Sequence, residues 1–121
     1  MFFSRTEELS NRCVMVEPVG DLDLHSVTHF KAVLDRQLAH KKYDIIINLD
    51  FLTFLDSSGL RSFIAAYKKV KPMGGKIDIV CSKKCFRSLF ELTGLDRFFK
   101  VFEYKASAIR AAIEARALVY A

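Results

Sequence analysis

The sequence predicts an α/β domain, a mixed β-sheet with an N-terminal hairpin and α-helices packed on it. Three observations predict it. Two strand-like runs, residues 2–9 and 12–19, are joined at Ser10-Asn11. Ile45, Ile46, Ile47 and Leu49 form a short β-branched run of the kind found in strands covered on both faces. Leu60, Phe63, Ile64, Tyr67 and Val70 then recur at helical spacing before a second apolar run, Ile77, Ile79 and Val80. Strand, helix, strand is a βαβ unit, for which a right-handed crossover is expected.

Taken in order, Val14, Val16 and Val19 give the second hairpin strand its β character, and Pro18 marks its end, an edge or a bulge. Residues 20–26 read as a loop carrying Asp21 and Asp23. Val27, Phe30, Leu34 and Leu38 form a helical stripe ending near His40, with Ser26 as N-cap and Lys41-Lys42 suiting the negative end of the helix dipole. Residues 44–71 read as strand, tight loop and helix. Pro72 disfavours helix in the residue before it, and Gly74-Gly75 supplies a turn. Residues 76–81 are the next strand. Ser82 is placed to cap a helix bearing Cys85, Phe86, Leu89, Phe90 and Leu92, which Gly94 ends in the C′ position, with Leu95 as the contact beyond. Residues 98–104 read as the last strand. Residues 106–119 read as an alanine-rich helix with Ile109, Ala112, Ile113 and Arg116 on one side. The expected order is β-β-α-β-α-β-α-β-α.

A chain of 121 residues suits one domain, here taken as residues 1–121, and is long enough for a real core. No apolar run is long enough to span a bilayer. Polar and charged residues follow Phe2-Phe3 at once, which is unlike a signal peptide, so a cytoplasmic protein is expected. Cys13, Cys81 and Cys85 lie in apolar surroundings and read as buried, inert thiols without the ligand spacing of a zinc site. The net charge of +5 gathers at Lys41-Lys42, Lys68-Lys69-Lys71 and Lys83-Lys84-Arg87. These positions read as solvated helix faces, and no nucleic-acid motif accompanies them, so neither direct nucleic-acid nor membrane binding is expected.

The chemistry-bearing residues follow two strands. In α/β folds the functional crevice lies at the carboxyl ends of the strands. Asp21 and Asp23 are therefore expected beside Asp56, Ser57 and Ser58. Helix capping by Asp56 or Ser57 accounts for one polar residue, at about 1 kcal/mol, with Gly59 allowing close packing. A hydrolase would need a serine nucleophile with His25 as base and Asp23 as orienter. No glycine-flanked nucleophile elbow is present, and Asp23 and His25 are poorly spaced for a triad. A phosphorylation switch fits better. A phosphate at a helix start meets free N–H groups, while neighbouring carboxylates repel it.

The run Ile-Ile-Ile-Asn-Leu-Asp-Phe-Leu-Thr-Phe-Leu-Asp-Ser-Ser-Gly-Leu closely resembles the signature of bacterial anti-sigma factor antagonists, in the STAS-domain family. Gly20-Asp21-Leu22-Asp23, Gly74-Gly75-Lys76 and Leu89-Phe90-Glu91-Leu92-Thr93-Gly94-Leu95-Asp96 extend the resemblance over residues 12–103. The resemblance implies a non-enzymatic binding module. Its unphosphorylated form binds an anti-sigma factor that is also a serine kinase, and sigma factor is released. Phosphorylation of the second serine, here Ser58, ends that binding, and a metal-dependent serine phosphatase restores it. No cofactor of its own is implied, since ATP and magnesium belong to the kinase. Asp23 and Asp56 match acids associated with kinase contact, with Asp21, Ser57 and Gly59 beside them. Leu60, Arg61, Ser62 and Phe63 are expected to supply docking contacts. Arg61 stands where the family often has a small residue. Some STAS domains are not phosphorylated. The alternative is a subunit docking constitutively on a lipid-transport or other transporter ATPase complex.

Overall fold

The computed structural model describes the backbone of residues 1–120 and the side chains of residues 1–115. Its strands are β1 (Phe3–Glu8), β2 (Cys13–Leu22), β3 (Asp44–Asn48), β4 (Leu52–Leu55), β5 (Lys76–Val80) and β6 (Lys100–Phe102). Its α-helices are α1 (Val27–Ala39), α2 (Ser57–Val70), α3 (Lys84–Leu92) and α4 (Lys105–Tyr120). The sheet runs β1-β2-β3-β5-β6, with β4 alongside β2 off that path. Among the described strands only the β1–β2 hairpin is antiparallel; β2–β3, β3–β5, β5–β6 and β2–β4 are parallel. The expected mixed α/β architecture is the one observed.

Alternation along the strands makes two layers. Val14, Val16, Ile45, Ile47, Ile77 and Ile79 face α1, α2 and α3. Cys13, Met15, Ile46 and Val80 face α4, where Ala108 is buried and Ile109 and Ala112 pack partly. This is why β3 could be apolar at three successive positions. Across the three-helix layer, Phe30, Phe63, Phe90 and Phe99 touch in sequence with ring centroids 5.8, 6.3 and 6.2 Å apart. Such aromatic contacts add to burial and tie α2 to both neighbouring helices.

Several elements differ from the sequence expectation. β2 runs through Gly20, Asp21 and Leu22, which were expected in a loop. Pro18 is interior to it, opposite Ser4 of β1. On its other side β2 pairs with β3 up to Val16 and with β4 from Gly20. Pro18, which lacks an N–H, thus sits where the strand changes partners. β4 was expected to be part of a tight loop. Residues 98–104 shrink to the three-residue β6, after a 3-10 turn at Leu95–Arg97. Ser82 does not cap α3; its N–H and hydroxyl both donate to Asp50 Oδ1, at 2.7 and 2.9 Å. Gly94 does follow α3 in the left-handed region, at φ 73°. Cys13 and Cys81 are buried, but Cys85 is exposed on the first turn of α3. Ile113 faces solvent at 64% exposure, and the side chain of Arg116 lies outside the described residues.

Candidate functional site

Two short acidic turns meet at the carboxyl end of the sheet. The first follows β2. Asp23 Oδ1 accepts the backbone N–H groups of His25 and Ser26, at 2.9 and 3.0 Å. The Asp23 carbonyl accepts the N–H of Val27 at 2.9 Å, which starts α1. Ser26 occupies the N-cap position but does not cap with its side chain. Its hydroxyl donates instead to the Asp21 carbonyl at 2.6 Å and accepts the Asp23 N–H at 3.0 Å. This is an Asx-type turn in which the carboxylate replaces a backbone acceptor. The Ser26 N–H, followed by that of His25, favours the ionised form and holds the Asp23 carboxyl below the usual range, with desolvation opposing in part.

The second turn joins β4 to α2. Asp56 is the N-cap, and its Oδ1 accepts the N–H groups of Ser58 at 2.9 Å and Gly59 at 3.3 Å. This satisfies two of the donors that a helix start leaves unpaired. A Cβ on Gly59 would stand 2.6 Å from Leu55 Cδ1 and 3.0 Å from Leu22 Cγ. Glycine is therefore what lets α2 seat on these two leucines.

The turns are joined directly. Asp21 and Leu22 pair with Phe54 and Leu55, and the Asp56 N–H donates to the Leu22 carbonyl at 3.3 Å. The β2–β4 register shifts between Gly20 and Asp21, leaving Thr53 opposite no residue of β2. Its hydroxyl donates to Asp21 Oδ1 at 2.6 Å. Asp21, Asp23, Asp56, Ser57 and Ser58 thus come together, as the strand-end argument required.

The family model described as the STAS domain matches residues 6–108. The chain belongs to the STAS-domain family. A Staphylococcus aureus relative named anti-sigma-B factor antagonist is 30% identical over 84 residues, covering 69% of this chain and 78% of that one. Among solved structures, an anti-sigma factor antagonist from Mycobacterium paratuberculosis superposes with a TM-score of 0.82 at 23% identity, covering 92% and 93% of the two chains. The phosphorylated form of the Bacillus cell fate determinant SpoIIAA gives a TM-score of 0.73 at 22% identity, covering 91% and 99%. Both structural likenesses extend over the whole fold.

Within this STAS domain the site residues differ sharply in exposure. Asp21, Ser57 and Arg61 are exposed, while Asp23 and Asp56 are half-buried. Ser58 retains 9% exposure as a residue, and its hydroxyl is not sealed from solvent. Leu60 is buried at 8%, and Gly59 packs inward. Ser62 and Phe63, expected on a docking face, are inside the protein at 1% and 0%. Phe63 is one of the four phenylalanines in ring contact across the helix layer, and the Ser62 hydroxyl donates to the Gly59 carbonyl at 2.6 Å. That local bond is what lets a serine sit on the core side of a helix. Asp23 holds His25 through its backbone, so the two do not form the acid–imidazole pair of a hydrolase.

The structure adds residues that motif reasoning passed over. Leu24 in the first acidic turn and Phe54, two residues before Asp56, are exposed by 68% and 48%, and Phe51, just ahead of β4, by 46%. Arg5 lies over the Phe51 ring, 4.5 Å from its centroid. Strict alternation would turn Phe54 to the same side as Leu52; the register shift between β2 and β4 lets Leu52 and Leu55 both point inward and leaves Thr53 and Phe54 exposed. No described helix is long and apolar enough to cross a membrane.

Proposed function

We propose that this STAS domain is an anti-sigma factor antagonist working as a partner switch. The unphosphorylated form binds an anti-sigma factor that is also a serine kinase, and sigma factor is released. The kinase transfers a phosphoryl group from its ATP to the Ser58 hydroxyl, which loses its proton as ADP leaves, and the complex dissociates. A metal-dependent serine phosphatase removes the phosphate and resets the switch.

One observation carries this reading. On a chain of net charge +5, three carboxylates lie on two adjacent strand ends, one of which leads into a helix with a serine on its first turn. The names of the relatives, and the phosphorylated form of a structural neighbour, support the same reading. Docking then rests on Asp21, Asp23, Asp56, Ser57 and Arg61, with Gly59 and Leu60 shaping the surface from beneath. A new phosphate of about −1.5 to −2 charge placed near carboxylates repels them, and its bulk and charge disturb the fit of the docking surface around Ser58. Ser58 is largely covered as a residue, but its hydroxyl reaches solvent at the start of α2, where a kinase can approach it.

The test is a paired capture from the native cell's lysate with Ser58→Ala and Ser58→Asp baits, read by mass spectrometry. Recovery of a serine kinase or anti-sigma factor on the alanine bait alone is expected. Equal recovery of a transporter ATPase on both baits would sink the switch and establish constitutive docking. Stoichiometric phosphate on Ser58→Ala protein would refute Ser58 as the acceptor.

A further inference from the structure

We infer that Arg61 is an internal counter-ion for phosphorylated Ser58, a clamp that holds the phosphate against the first turn of α2. The inference deepens the switch reading and rests on Ser58 being the acceptor. Arg61 lies three residues after Ser58 and four after Ser57 on one helix. Residues at these spacings are neighbours on a helix surface. Helical side chains also lean toward the N-terminus, so a long side chain at 61 covers the turn that contains 57 and 58.

Two further observations meet at this spot. Arg61 is exposed and makes no ion pair, hydrogen bond or ring contact among the described residues. Three other cations on the same layer are engaged, Lys69 with Asp35 at 2.8 Å, Arg87 with Glu103 at 3.5 Å and Lys71 over Tyr67, while Lys31, Arg36 and Lys68 are, like Arg61, without such a contact among the described residues but lie farther along their helices from Ser58. The Ser58 side chain, nine-tenths buried, has a hydroxyl that takes part in no hydrogen bond, since only its N–H is used by Asp56. A hydroxyl without a partner and a guanidinium without a partner therefore share one helical turn.

The surroundings make a counter-ion matter. Asp56 caps the same turn, and Asp21 and Asp23 come from β2 and the turn after it, with His25 beside them. On α1 the exposed cation nearest in sequence to that turn is Lys31. A phosphate at Ser58 enters a field dominated by carboxylates. A guanidinium matches two phosphate oxygens at once, which an ammonium does not. The clamp draws the phosphate along the helix and keeps the modified turn folded.

The test places phosphoserine at position 58 during translation, so no kinase is needed. Phosphorus NMR then follows the second ionisation of the phosphate, which lies near pH 6 in the free amino acid. Wild type, R61K and R61Q are compared, with circular dichroism as the folding control. The clamp predicts the lowest ionisation pH in wild type, with R61Q higher by about 0.3–1 unit and R61K between them. Values agreeing within about 0.1 unit in all three would overturn it. A kinase that never modifies Ser58 would defeat the switch reading while leaving this titration to be read on its own.

Discussion

The two acidic turns are built alike and differ in what they hold. In each, one aspartate uses Oδ1 to gather two successive backbone N–H groups: His25 and Ser26 for Asp23, Ser58 and Gly59 for Asp56. Each leads into a helix of the same layer. Asp56, however, is the cap of its helix, and of the two residues it gathers Ser58 keeps little exposure and Gly59 packs on Leu22 and Leu55. Asp23 holds a surface turn one step before its helix, and its neighbours Leu24 and His25 are exposed. One aspartate thus governs the order of the candidate acceptor, and the other presents charge. In both, a side-chain amide can keep the hydrogen bonds while removing the charge, which separates structural from binding roles.

The largest effect is expected at the cap. Asp56→Ala leaves the Ser58 and Gly59 N–H groups unpaired and should lower stability by about 1–2 kcal/mol, read by thermal or urea unfolding. Asp56→Asn should stay within a few tenths of wild type, because asparagine caps about as well. Equal losses in the two variants would mean that charge, rather than capping geometry, holds the turn.

A binding effect of similar size is expected at the exposed ring of β4. Phe54→Ser should reduce affinity for the anti-sigma partner by about tenfold or more while altering stability by no more than about 0.5 kcal/mol. Unchanged affinity in calorimetry would confine docking to the acids.

Asp23 should give the smallest structural effect. Asp23→Asn keeps an acceptor for His25 and Ser26, so the fold should persist while partner binding weakens severalfold. Its pH dependence has a definite sign. The native carboxyl is held below its ordinary value, so the ionised form contributes stability that is complete above about pH 4–5. That contribution is lost as the pH falls through the native value. Wild type should therefore lose stability more steeply than Asp23→Asn below about pH 4. Superimposable acid limbs in urea titrations would contradict the hydrogen-bonded turn.

The same two turns show how much was legible beforehand. Residue types and their order were enough to bring Asp21, Asp23, Asp56, Ser57 and Ser58 to one end of the sheet, because strand ends in a parallel sheet converge. Direction was harder. The stripe Leu60, Phe63, Tyr67 and Val70 already turned Phe63 to the core, and assigning it to docking ignored that periodicity. Ser62 looked like a surface residue because its bond to the Gly59 carbonyl is invisible in composition. β4 was hidden for another reason. Four residues are too few for a periodic signal, and this strand exists because β2 outruns β3 and needs a second neighbour. Cys85 was misjudged from its apolar neighbours, since Phe86 and Leu89 point elsewhere on α3.

That change of partner along β2 has a further consequence. A sheet ordinarily has two edges, and among the described residues this one has a third, because there β4 is paired with β2 alone. The outer strand β1 carries Arg5, Glu7 and Glu8, charges that discourage a second chain from adding to it, and β6 is only three residues long. β4, Leu-Thr-Phe-Leu, has neither charge nor proline, and its protection is its brevity together with Lys83, whose Nζ donates to the Leu52 carbonyl. Solubility of the isolated domain and recognition at its candidate site therefore draw on the same few residues, and a substitution chosen to improve one will alter the other.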